Sequence, residues 1–152
     1  MERDIEIQTT LTAFRDATWE LDNIYSLFPK SCGLSEVEYW SLLLIHDGIV
    51  TQSQISERLF ISKQTLNSAF KQLRKKGLIR LEPYEENQRS KRSLLTDAGK
   101  AFVEEHILRM HRMEERAWLR LTSEERESLI GLTQKISRLM QDELEYSTTN
   151  PV

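Results

Sequence analysis

The sequence has little of what would tie, turn or insert a chain. Its one cysteine, Cys32, has no second cysteine to pair with, so an internal disulfide is excluded and a reducing compartment suits it. Five glycines and three prolines in 152 residues argue against a loop-rich β protein. The longest apolar run, LLLI at 42–45, is far short of the roughly 20 residues that span a bilayer. Asp and Glu occur throughout the first twenty residues, unlike a secretory leader, so the expected compartment is the cytoplasm. There is no nucleophile paired with a base, no glycine-rich phosphate loop and no catalytic carboxylate pair. The expectation is a non-enzymatic protein with no cofactor.

What the chain does have is helix-forming periodicity and a lopsided charge. Residues 63–92 hold nine Lys or Arg against three Glu, a local charge of +6 on a chain whose total is −3. The rest therefore carries −9, and an acidic body with one basic stretch concentrates positive field on one surface. Phosphate contacts supply most of the affinity of a small DNA-binding module, so this asymmetry suits one.

Residues 4–28 place Ile7, Leu11, Phe14, Thr18, Leu21, Tyr25 and Phe28 at helical spacing, and the helix is expected to end at Pro29. SEVE opens a second helix through a capping box of Ser35 and Glu38, with Gly48 at its C-terminal end. Residues 51–61 then read as a short helix capped by Thr51 and a turn, FIS. Residues 62–76 form a further helix, capped by Ser62, that buries Leu66, Ala69, Phe70 and Leu73 and stops at Gly77. Two short helices joined by a tight turn make a helix-turn-helix.

Across 78–96, LIRLE and RSLLT read as two strands joined by PYEENQRSK, a hairpin placed as a wing. A hairpin that only closed a core has no need of Arg89, Lys91 and Arg92 together. Thr96 caps a long helix over 97–121, and TSEE opens a last one that ends before a frayed STTNPV. The helices at 4–28 and 97–146 present more apolar surface than a winged domain of about 60 residues covers, which calls for a second copy of the chain. The fold class expected is mainly α (α+β). It is one domain over 1–152, with a winged helix-turn-helix at 34–96 flanked by long N- and C-terminal dimerisation helices.

This order of elements resembles the MarR family of bacterial transcription regulators. The residues that carry the resemblance are ISKQTLNSAFKQLRKKGLI and NQRSKRSLLTDAG. The family's wing pattern, Asp-x-Arg-x-x-Arg, is met by Asn87, Arg89 and Arg92, and Leu95, Thr96 and Gly99 match the stretch that follows. Asn87 departs from the pattern: it can cap a turn but offers no carboxylate to hold an arginine.

The resemblance implies a homodimer of triangular outline that binds double-stranded DNA. Its recognition helices would enter major grooves and its wings adjacent minor grooves, with half-sites about 34–36 Å apart. A repressor on a pseudo-palindromic operator, released by a small-molecule effector, is the function implied. On the 62–76 helix the outward residues are Lys63, Gln64, Asn67, Ser68 and Lys71, with Thr65 in the first turn. Gln and Asn suit adenine, and Lys suits guanine or phosphate. Ser62 and Gln52, at helix N-termini, suit phosphate.

Relatives place an effector pocket where Trp19, Tyr39, Trp40 and His46 would fall, although aromatics at helical spacing also make an ordinary core. Cys32 reads as a small structural residue rather than a redox sensor. His106, His111 and Glu115 read as surface residues rather than metal ligands. The other function class that fits this scaffold is a winged-helix protein–protein interaction module that does not read DNA.

Overall fold

The computed structural model describes residues 2–84 and 87–149, with nothing said of the side chains of residue 2 and residues 84–90. Its elements are α1 (Glu2–Ser31), α2 (Glu36–His46), α3 (Gln52–Leu59), α4 (Lys63–Lys75), β1 (Ile79–Tyr84) and β2 (Asn87–Leu95). They are followed by α5 (Asp97–Phe102), a π-helical turn (Val103–Ile107), α6 (Leu108–Trp118) and α7 (Ser123–Thr149). The chain divides into two compact units, one reaching to Met110 and one beginning at His111. No helix among the described residues is long and apolar enough to cross a membrane.

The core of the first unit gathers one side of each of its short helices. Phe28, Tyr39, Leu42, Ile55, Leu66, Phe70, Leu73, Ile79, Val103 and Ile107 are all buried. The caps expected from sequence are in place. Ser35 and Glu38 exchange hydrogen bonds at 3.2 and 2.7 Å. Thr122 and Glu125 do the same at 3.1 and 2.7 Å. Helix α4 ends where Gly77 takes φ 72° and the Leu78 N–H returns to the Leu73 carbonyl at 3.0 Å.

The wing is an antiparallel hairpin with Ile79 opposite Leu95, Leu81 opposite Ser93 and Glu82 opposite Arg92. Its second strand is held on the other side too, since the Ser93 N–H donates to the Val50 carbonyl at 2.7 Å and Thr51 bridges Arg92. Thr96 then locks the hairpin to the end of α4. Its N–H donates to the Leu78 carbonyl at 3.1 Å, and its hydroxyl donates to the Gly77 carbonyl and accepts from the Gly99 N–H at 3.0 Å. A Cβ on Gly99 would lie 1.9 Å from the Leu78 oxygen, so only glycine fits there.

Four expectations are corrected. Helix α1 does not end at Pro29 but runs through it to Ser31. Only one turn follows, so the ring costs one ladder hydrogen bond, and the Pro29 carbonyl instead accepts from Cys32 and Leu34 at 3.2 and 3.0 Å. In the wing, NQRSK belongs to β2 rather than to the turn, because backbone pairing continues beyond the apolar residues that signal a strand. The helix expected to run unbroken over 97–121 passes through a π-helical turn and ends at Trp118. Helix α7 continues through Ser147 to Thr149, where hydroxyls of Thr148 and Thr149 return to carbonyls of Leu144 and Glu145.

Candidate nucleic-acid interface

Helix α4 turns Leu66, Ala69, Phe70 and Leu73 inward. The 3.6-residue period therefore leaves Lys63, Gln64, Asn67, Ser68 and Lys71 on its outer face, all exposed. The Ser62 hydroxyl accepts from the Thr65 N–H at 3.1 Å and lies 2.9 Å from the Thr65 hydroxyl. Both side chains at the start of the helix are thus fixed by each other. Ser68 donates back to the Gln64 carbonyl at 3.2 Å, which leaves Gln64 and Asn67 as the outward amides. From α3, Gln52 and Ser53 border a depression of about 160 Å³ shared with Lys63, Leu66 and Asn67. Gln52 is therefore brought beside Lys63 and Asn67 of α4.

The far end of α4 is pinned rather than presented. Lys76 donates to a Glu38 carboxylate oxygen at 2.7 Å, and the other oxygen accepts the Ser35 N–H at 2.7 Å. Burial works to raise the Glu38 carboxyl, but the hydrogen bonds from Lys76 and Ser35 outweigh it and hold it below the usual carboxylate range. Arg74 and Lys75, in the last turn, remain exposed.

On the wing, Lys91 and Arg92 are exposed and Arg89 lies in β2, its side chain outside the described residues, as is that of Asn87. Sequence reasoning missed Arg80 and Glu82. Glu82 accepts from Arg80 Nε at 2.9 Å and from Arg92 Nη2 at 3.1 Å. Hydrogen bonds from Arg80 and then Arg92 hold its carboxyl below the usual range. The alternation of strand β1 was the signal for one side of this group. The cross-strand register, which no sequence spacing fixes, supplied the other.

The four residues assigned to an effector pocket are dispersed in kind. Tyr39 is buried and Trp40 half-buried, in edge contact with ring centroids 5.0 Å apart, and Tyr25 and Phe28 pack on the Trp40 ring. Trp19 is exposed on α1. His46 borders a depression of about 800 Å³ with Arg80, Leu94, Lys100 and Glu104.

Cys32 is half-buried, its thiol directed at the Pro29 carbonyl at 3.4 Å, and burial pushes it above its ordinary value. His111 lies 3.6 Å from Glu114 and 3.5 Å from Glu115, and His106 packs at a tilt against Phe102, ring centroids 4.6 Å apart. Among the described residues no group of three or more His, Cys, Asp or Glu side chains is placed to hold a metal.

A helix-turn-helix whose second helix is polar and basic outward, followed by a two-stranded hairpin anchored to its first helix, defines a winged helix-turn-helix protein. Residues 33–90 match the family model described as MarR family. The chain is 27% identical over 128 residues to the uncharacterized HTH-type transcriptional regulator YybA of Bacillus subtilis, covering 83% of this chain and 85% of that one. The S. aureus MepR–DNA complex superposes with a TM-score of 0.64 at 25% identity, over 84% of this chain and 96% of that one. NMB1585, a MarR family regulator from Neisseria meningitidis, shares the fold with a TM-score of 0.70 at 19% identity, over 89% of this chain and 98% of that one. These matches, over the helix-turn-helix and wing in sequence and over most of the chain in fold, support the resemblance to the MarR family.

Proposed function

We propose that the protein is a sequence-specific regulator of transcription that binds double-stranded DNA as a homodimer and represses from a pseudo-palindromic operator. The observation that carries this reading is the outer face of α4. There Gln64 and Asn67, the residue types that pair with adenine edges, stand exposed between Lys63 and Lys71. Gln52 and Ser62 border the start of that face, and Lys91 and Arg92 stand exposed on the wing. The likeness to a relative solved as a DNA complex supports the same reading.

Release by a small-molecule effector belongs to the proposal, and its site is assigned to the depression that His46 borders. Duplexes selected from random sequence by the purified protein provide the test. Gln64→Ala and Asn67→Ala should each weaken binding to the selected site by about 1–3 kcal/mol while leaving random duplex nearly unaffected. Equal losses on both DNAs would remove these side chains from base reading. No retention on any duplex at low salt would make the chain a protein-binding winged helix instead.

A further inference from the structure

Glu82 is an acid in the middle of the basic stretch, on the one segment of the molecule that the DNA-binding reading makes cationic. A wing that only needed positive charge would be weaker for it, so its placement calls for a reason.

Residues 80 and 82 alternate on one face of β1, and Arg92 stands directly opposite Glu82 on β2. Arg80, Glu82 and Arg92 therefore share the face of the hairpin turned away from Ile79, Ser93 and Leu95, which are buried. The carboxylate uses one oxygen for each arginine, 2.9 Å to Arg80 Nε and 3.1 Å to Arg92 Nη2. The group of three keeps a charge of +1. Within the described residues each guanidinium gives Glu82 a single N–H, so donors remain for a phosphate. The backbone of Arg92 is fixed as well, paired to β1 on one side and bridged to Thr51, the cap of α3, on the other.

We infer that Glu82 is the positioning residue of the wing: it supplies, from the opposite strand, the carboxylate that Asn87 does not, and holds Arg92 beside the start of α3 ready for a DNA phosphate. A long arginine side chain loses much rotamer freedom when it binds, and holding it beforehand lowers that cost. A carboxylate that merely masked Arg92 would act in the opposite sense, and the two cases differ in a measurable sign. The inference rests on the DNA-binding reading and adds to it the origin of the wing's order.

The test is a double-mutant cycle on a selected duplex at fixed salt, built from Arg92→Ala with Glu82→Ala and repeated with the milder Glu82→Gln. Removing a negative charge near DNA shifts both arms alike, so only the coupling is read. Arg92→Ala should weaken binding about fivefold when Glu82 is present and about twofold when it is absent. An equal or larger loss in the Glu82 variants overturns the inference, since Arg92 would then act unaided or be masked. No loss from Arg92→Ala in any background overturns it as well and takes Arg92 out of the interface. The Gln64 and Asn67 variants report separately whether DNA is read at all.

Discussion

Phe60 shows what a single residue can cost. It closes α3 in the left-handed region at φ 53°, with its N–H and that of Ile61 returning to the carbonyls of Glu57 and Ser56 at 3.3 and 3.1 Å. Its ring is 96% exposed and gains no packing in return. The left-handed conformation costs a non-glycine residue about 1–2 kcal/mol, and glycine's extra chain entropy gives back about 0.5–1 of that difference. Phe60→Gly should therefore stabilise the fold by about 0.5–1 kcal/mol, read as a higher denaturant midpoint at unchanged slope. A lower midpoint would show that the ring packs in solution.

Gly99 is the opposite case, where the backbone approach leaves no room. Gly99→Ala should destabilise by about 2–3 kcal/mol, because the carbonyl it would strike belongs to the Gly77–Leu78 turn rather than to a flexible side chain. At this scale the sequence was legible where a residue acts on its near neighbours. Thr96, Ser62 and Ser35 were each recognisable as caps from three-residue spacing. Glu82 was not, because its partner Arg92 lies ten residues away across a register that only the folded hairpin sets.

Among the elements, α2 and α4 are joined by the Glu38–Lys76 pair, and this junction is sensitive to acid. Glu38 titrates lower folded than unfolded, so its stabilising contribution is fully present above the ordinary carboxylate value. It is lost as pH falls through the lowered folded value. Glu38→Gln should cost on the order of 2 kcal/mol near neutral pH, from the loss of charge-assisted hydrogen bonds. Parent and variant should converge as the pH drops below the carboxylate range, a comparison made by denaturation at several pH values. A constant gap would place the effect in packing instead.

Helix and strand identity came through in the sequence because the periods of Leu66–Leu73 and of the LIRLE segment differ plainly. The ends were harder to read. Pro29 signals a stop, yet a proline one turn from a helix end breaks little, and polar NQRSK carries no apolar alternation to mark the strand it belongs to.

At the scale of the molecule, the prominent feature is apolar surface without cover. On α1, Ile7, Leu11, Phe14, Leu21 and Leu27 are exposed, and on α7 Leu129, Leu132, Ile136, Leu139, Met140 and Leu144. The sequence reading gave the apolar rows of the outer helices to a second copy of the chain, and no residue of α7 is buried in the single chain. These rows are what a second copy would cover, and full burial of each such side chain is worth about 1.5–3 kcal/mol.

Leu132→Asp with Ile136→Asp should abolish the proposed dimer and leave unfolded or aggregated chain, as followed by sedimentation and circular dichroism. A well-folded monomer of the unaltered protein at micromolar concentration would count against the homodimer. The need for a partner was legible, since apolar periodicity exceeded what 60 residues could enclose. Which side chains the single chain leaves bare was not, because periodicity marks a face without saying what lies against it.

The π-helical turn at Val103–Ile107 carries a consequence for insertions and deletions. A regular helix advances about 100° for each residue, and a π turn accommodates one residue more than the helix around it needs. It works like a spare link in a chain. Removing one of the exposed residues Glu104 and Glu105 leaves an ordinary helix that still connects α5 to α6, with Val103 and Ile107 three residues apart instead of four and still on one buried face. The same deletion in the middle of α4 would expose Leu66 or Phe70 and unfold the core. At the π turn the spare residue absorbs the loss, so a single-codon deletion of Glu104 or Glu105 should leave the buried face of the helix in register.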